Sequence, residues 1–350
     1  TLESAREVCR DDALCKHADI FNLLIQLVDK SLVQPEDEAR RFNFFETLRE
    51  YALKELQESG WLETARERHS DHFLKFIEFA NPHLKQGDAQ LDWLNRVEAE
   101  HNNLRQALAW SVESPSRAEA AMRLGDAIHI FWLTHGYISE ARFWLSKILA
   151  FTGKPTKVHA DLLRYASDYA SVQSDFTSAR ELEGQAMEIS RSLGDEEGIY
   201  YSMDGIAKVA GMHGDYAAAV EMLEQVLMYR RRLNDPLRLV GTLNNLALAS
   251  RLSGNPVRAI ELYEEAVTVT RHEGIFPSLA RALNGLAELS ALKGDHREAM
   301  SLHRESILIR HELGDLKGLV ASLNSIARFI EQLGDTKLAV KLEGAALHLR

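Results

Sequence analysis

Leu243-Asn244-Asn245-Leu246-Ala247-Leu248-Ala249-Ser250-Arg251-Leu252 runs into Ser253-Gly254-Asn255-Pro256 and then into a second patterned stretch, Val257 to His272, that carries Ala259. The same design returns at a strict forty-residue interval. Gly214-Asp215, Gly294-Asp295 and Gly334-Asp335 stand in register with Gly254-Asn255, and Ser174-Asp175 occupies the place one period earlier. An alanine follows five residues after each glycine position: Ala179, Ala219, Ala259, Ala299 and Ala339. A fixed period of this size marks a stacked-repeat architecture, in which each unit buries its apolar face only against its neighbours.

The unit is two helices. Between successive copies a second break recurs at Gly194-Asp195, Asn234-Asp235, Glu273-Gly274 and Gly314-Asp315. Glycine or asparagine at a helix end accepts the left-handed conformation that closes the last turn, and the following aspartate or asparagine caps the next helix. Inside the helices, Ala207, Ala247, Ala287 and Ala327 are in register, each after Ile206, Leu246, Leu286 or Ile326. The second helices repeat Ala219/Met222/Leu223, Ala259/Leu262/Tyr263 and Ala299/Leu302/His303. Small residues flanked by larger apolar ones at helical spacing are core positions.

The pattern resembles the tetratricopeptide repeat, with its Asn-Leu-Gly-like step and Gly-Asp/Asn turn in the first helix and small alanine in the second. The resemblance implies an all-α chain, a right-handed superhelix of helix hairpins, with about five repeats over 151–350. Gly205, Gly285 and Ser325 stand where the unit above has Asn245, and Ser174 replaces a turn glycine. These departures are expected to weaken individual repeats.

Composition fits a helical protein: 350 residues, 45% hydrophobic and 8% aromatic, with prolines at breaks such as Pro155, Pro236, Pro256 and Pro277. No apolar run approaches the eighteen or so residues of a membrane span, and no secretory segment is present. Cys9 and Cys15 suit neither a disulfide framework nor a paired-cysteine metal site, so a reducing cytoplasm is expected. With 41 Lys and Arg against 52 Asp and Glu, the net charge of -11 argues against broad attraction to nucleic acid or anionic lipid. Arg230-Arg231-Arg232, the densest basic run, ends a second helix, where cations favour the negative dipole end. The chain opens at Thr1 without a methionine, as expected of an excised fragment.

The first sixty residues lie outside the period. Helix over Thr1 to Cys9, helix over Ile20 to Leu32, a hairpin within Val33 to Phe45 around Pro35-Glu36-Asp37-Glu38, and helix from Glu46 give the order of a winged-helix module. Leu24-Ile25-Gln26-Leu27-Val28-Asp29-Lys30-Ser31-Leu32-Val33, then Phe44-Phe45-Glu46-Thr47-Leu48-Arg49-Glu50-Tyr51-Ala52, is similar to the segment joining ATPase to repeats in bacterial signal-transduction ATPases of the STAND class. Trp93 to Trp110, beginning Trp93-Leu94-Asn95-Arg96-Val97-Glu98-Ala99-Glu100-His101-Asn102-Asn103, matches the same family. The resemblance implies a truncated winged-helix module at 1–60, an irregular helical connector with a degenerate leading repeat at 61–150, and the repeats beyond. No Gly-x-x-x-x-Gly-Lys-Ser/Thr loop occurs, so ATP and Mg are expected only in an upstream ATPase domain, and this chain is expected to be no enzyme and to hold no cofactor.

In a tetratricopeptide stack the first helices line a concave groove. The period places Asp204, Asn244, Asn284 and Asn324 at one site in successive repeats. Asparagine carries both donor and acceptor, matching the alternating groups of an extended peptide. Helices about 8–10 Å apart would present one such residue to roughly every third ligand residue at about 3.3 Å per residue. Bonds between neighbouring repeats would use the same side chains without any ligand. Arg164, Asp168, Tyr201, Lys208, Arg251, Arg281, Glu288 and Arg328 occupy positions that the family pattern turns toward the groove.

The resemblance therefore implies a sensor whose groove takes a peptide or protein and whose winged segment relays the event to the ATPase. A constitutive scaffold, or a DNA-binding regulator using the winged helix, are the alternatives. The Ile20 to Leu32 helix offers only Asn22, Gln26, Asp29, Lys30 and Ser31 outside its apolar stripe, a poor phosphate footprint. His69 and His72 lie three apart on one helix, but no third metal ligand can be assigned. Neither a Gly-x-Ser-x-Gly elbow nor a His-Glu-x-x-His pair occurs.

Overall fold

A computed structural model describes residues 1–9, 20–36, 41–85, 90–151 and 154–349. Cys15 and the Asp37-Glu38 half of the expected turn lie outside the described residues. The chain packs as two compact units, Thr1–Val172 and Gln173–Arg350.

The first unit opens with α1 (Leu2–Val8) and α2 (Ile20–Asp29), then β1 (Val33–Glu36) and β2 (Arg41–Phe44), an antiparallel pair in which Val33 faces Phe44. Next come α3 (Glu46–Glu58), α4 (Leu62–Lys85), α5 (Gln90–Ser111), a 3-10 turn (Pro115–Arg117), α6 (Ala118–His135), α7 (Ile138–Leu149) and α8 (Lys157–Val172). The core of this unit lies among α4 to α8, where Phe73, Ile77, Leu104, Leu124, Trp132 and Ile148 are buried. The hairpin is tied to that core through one guanidinium: Arg41 donates to Glu100 Oε1 at 2.5 Å and to the Ala99 carbonyl at 2.6 Å. His69 Nε2 meets Asn103 Oδ1 at 3.4 Å and His72 Nε2 meets Ser4 Oγ at 3.1 Å, so both imidazoles serve helix contacts. Among the described residues no group of three or more His, Cys, Asp or Glu is placed to hold a metal, and no helix is long and apolar enough to cross a membrane.

The second unit is a tetratricopeptide-type α-solenoid. It comprises α9 (Phe176–Leu193), α10 (Glu196–His213), α11 (Tyr216–Arg230), α12 (Pro236–Leu252), α13 (Pro256–Glu273), α14 (Phe276–Lys293), α15 (His296–Glu312), α16 (Leu316–Gln332) and α17 (Thr336–His348). The break residues act as the spacing demands. Gly194, Gly214, Gly254, Gly274, Gly294, Gly314 and Gly334 all have positive φ, and Ser174 is forced into the same region at φ 61°. Asp175, Asp195, Asp215, Asp235, Asn255, Asp295, Asp315 and Asp335 each accept from a backbone N–H three residues on. Ile275 heads α14 with no side-chain cap.

Each helix packs on the next, and α10, α12, α14 and α16 also pack on one another in series, which sets the first helices of the repeats side by side along one face. The aligned alanines are what allow this close approach: Ala247, Ala287, Ala259 and Ala299 are wholly buried, with Ala207 and Ala327 at 1% exposure. α8, in the first forty-residue period, packs with the first unit.

Candidate functional site

Helices α12 and α16 bring three residues from the two flanking repeats onto one carboxylate of α14. Glu288 Oε2 receives Arg251 Nη2 at 2.9 Å, while Oε1 receives the Ser325 hydroxyl at 2.5 Å and Arg328 Nη2 at 3.5 Å. Asn284, one turn earlier on α14, gives its amide Nδ2 to the same oxygen at 3.4 Å. That fixes the other end of the amide: Asn284 Oδ1 lies 3.2 Å from His303 Nδ1. His303, on α15, is wholly buried, and burial pushes its pKa down to about 4, so the ring is neutral near pH 7. A neutral ring that donates from Nδ1 to an amide oxygen has Nε2 as an acceptor, and no donor reaches it.

These side chains surround a cavity of about 310 Å³ lined by Arg251, Glu288, Leu292, His303, Ser325 and Phe329, among others. Arg251 and Glu288 are each about one-fifth exposed while Arg328 is two-thirds exposed, so the cavity has a largely buried polar wall and an exposed cation at its mouth. Leu292 on the rim is 68% exposed.

A second register runs between the helices. Residues 183 and 263 of the second helices fall opposite 205 and 285 of the following first helices, and 223/245 and 303/325 stand at the same forty-residue register. A Cβ added at Gly205 would overlap the Glu183 carboxyl, and one at Gly285 would overlap the Tyr263 ring. At 205 and 285 the small residue accommodates a larger partner, Glu183 in the one case and Tyr263 in the other. Ser325 and His303, both buried, stand at that register and both line the cavity.

Of the residues singled out from the sequence, Arg251, Asn284, Glu288 and Arg328 converge on this site. Asn244 does not: it is 1% exposed, and its amide donates to the Ser278 carbonyl of the next repeat at 3.2 Å. It is a bridge between repeats. Asn324 is half-buried. Arg281, exposed, donates to Asn245 Oδ1 at 2.7 Å. Asp204 is held above the usual carboxylate range by burial, an effect opposed by the nearby Arg230 and Lys208 charges. Tyr201 lies under two guanidinium groups, Arg230 at 4.7 Å and Arg238 at 5.0 Å. Arg164 and Asp168 stand on α8 in the first unit, where Arg164 pairs with Asp161 at 2.5 Å. His303, Ser325 and Phe329 were not anticipated. The signal for them was present in the forty-residue register, read across two helices rather than along one.

Comparison with known proteins agrees with this architecture. Residues 238–310 match the tetratricopeptide repeat family. Proteins from Mycobacterium tuberculosis and Mycobacterium bovis that bear the name HTH-type transcriptional regulator are 35% identical over 136 residues. That match spans 37% of this chain but only 15% of each relative. Among solved structures, a STAND protein with a tetratricopeptide repeat sensor from Pyrococcus horikoshii superposes with a TM-score of 0.54 at 15% identity, over 99% of this chain and 57% of that one. NprR in complex with its cognate peptide NprX gives a TM-score of 0.54 at 14% identity, over 94% and 90% of the two chains. At such identities the likeness is one of fold.

Proposed function

We propose that this chain is a non-enzymatic ligand-sensing module whose repeat groove binds a peptide or a protein segment. The observation that carries the reading is the polar cavity on the side-by-side first helices: it is concave, and its wall is preassembled by ion pairs from three repeats before any ligand arrives. Preassembly lowers the ordering cost of binding. The resemblance to NprR, which was solved with a peptide, supports the same class of ligand.

In this reading residues 1–60 act as the coupler. Ligand binding favours one arrangement of the parent protein over another, and an upstream ATPase, with its own ATP and Mg, reads the change. The setting is the cytoplasm. The likeness to a STAND protein over nearly the whole of this chain supports that arrangement of parts.

Direct DNA binding is the second reading, favoured by the name of the mycobacterial relatives. The surface of α2 is less suited to it. Phe21, Leu23 and Ile25 are its exposed large side chains, at 41%, 42% and 36%, and they fit a protein contact better than a phosphate backbone.

The test uses a synthetic random octapeptide library, with peptides retained by the chain identified by mass spectrometry. Leu292→Trp with Gln332→Trp fills the cavity mouth from exposed positions and should leave the helical CD signal and melting unchanged. The wild type should retain peptides that this variant does not. Equal retention by both would remove the cavity from the reading.

A further inference from the structure

Among the described residues of 1–60, Val33 is the one buried side chain, and α1, α2 and α3 bury none. A segment that buries so little apolar surface moves relative to its neighbour by default. Its β-hairpin is nevertheless fastened to α5 by Arg41, which donates to Glu100 Oε1 and to the Ala99 carbonyl. The two ends of that clasp differ. The Arg41 side chain is one-quarter exposed, while that of Glu100 is only 8% exposed. Glu100 is also held from its other side: Oε2 accepts the Asn103 amide at 2.6 Å, and Asn103 Oδ1 meets His69 of α4. Opening the clasp therefore returns a guanidinium to water and leaves the buried carboxylate with a hydrogen bond.

The next residue of the same helix faces elsewhere. His101 donates from Nε2 to Glu140 Oε1 of α7 at 3.0 Å, and Arg105, one turn on, gives Glu140 two hydrogen bonds at 2.9 and 2.5 Å. Adjacent helix residues stand about 100° apart around the axis, so a rigid shift of α5 displaces both attachments together. We infer that the Arg41–Glu100 clasp is a releasable latch on residues 1–60, controlled across α5 by the contacts of Glu140 on α7. While Glu140 holds His101 and Arg105, Glu100 stays within reach of Arg41 and the hairpin is shut. Displacement of α7 draws α5 round, parts Glu100 from Arg41 and frees the hairpin. Glu140 is a positioning residue here, acting on Arg41 through α5. The latch goes beyond the groove reading and stands whether or not the groove takes a peptide.

Hydrogen exchange of the full chain, read by mass spectrometry over β1, β2 and α3, tests the latch. Arg41→Met removes the charge with little change of length and should speed exchange there about tenfold, the scale of one charge-assisted hydrogen bond. Glu140→Gln, a change on α7 rather than in the clasp, should speed exchange at the same amides by at least about twofold. Adding Glu140→Gln to Arg41→Met should change nothing further, because the latch is already open. Helices α4 and α6 should keep wild-type protection in all three variants, which separates release of the hairpin from general loosening. An unchanged hairpin in Glu140→Gln, or additive effects in the double variant, would show a static fastening and overturn the latch. Equal loss of protection in α4 and α6 would overturn it as well.

Discussion

Tyr263 fills the space that a side chain at residue 285 would need: its ring lies where the Cβ would stand, and Gly285 is the residue that admits it. The pair joins the second helix of one repeat to the first helix of the next, and Tyr263 is 3% exposed there. Burial also raises its phenol pKa to about 12, so it stays uncharged under ordinary conditions.

Gly285→Ala should therefore destabilise the repeats even though alanine is the better helix former. Overpacking of this kind costs about 1–3 kcal/mol, against a helix-propensity gain of up to about 1 kcal/mol. The double variant Tyr263→Leu with Gly285→Asn places at both positions the residues that the preceding repeat has at the same register, Leu223 and Asn245, and should recover much of the loss. A double-mutant cycle by urea denaturation measures the coupling. Simple additivity would show that the two residues do not share one space.

Ile275→Asp should stabilise the second unit. Every other first or second helix from α9 to α17 begins at an aspartate or asparagine that accepts a backbone N–H, while α14 begins at Ile275 without one. A cap of this kind contributes about 0.5–2 kcal/mol. Ile275 is partly buried, which offsets some of the gain, and the expected net effect is an increase in melting temperature. An unchanged or lower melting temperature would show that its apolar contacts outweigh the cap.

Ser174→Gly should also stabilise. Ser174 stands at φ 61°, in register with glycines that adopt the left-handed region without a Cβ penalty. The relief is about 1–2 kcal/mol, less the greater freedom of glycine in the unfolded chain. Thermal melting of the single variant checks it.

His303 makes stability fall on acidification. Its folded pKa is depressed to about 4 from an ordinary 6.5, so the unfolded chain takes up the proton first as pH drops. Its contribution is complete above pH 6.5 and is lost progressively toward pH 4, by on the order of 3 kcal/mol. His303→Gln, neutral throughout, should show a flatter stability profile than wild type between those limits, by urea denaturation at a series of pH values. Parallel profiles would remove His303 as the cause.

The groove was legible in part. Arg251, Glu288 and Arg328 stood out because they occupy positions that the pattern of the resembling repeats turns toward the groove. Asn244 stood out for the same reason, yet it is buried against the next repeat, where its amide donates to the Ser278 carbonyl, while Asn284 at the same register position donates to Glu288. His303 and Ser325 did not stand out, since they line one cavity only after two helices of different repeats have packed.

The sequence alone determined the repeat, its length, its turns and its buried alanines, because these depend on local backbone chemistry and on one apolar stripe per helix. Gly254 and Asn255 close one helix and open the next without reference to anything distant. Tertiary structure decided which polar residues meet. Glu288 becomes the centre of a site only where Arg251, Ser325 and Arg328 arrive from neighbouring repeats, and the cavity beside it is lined by His303 and Ser325 from two different helices.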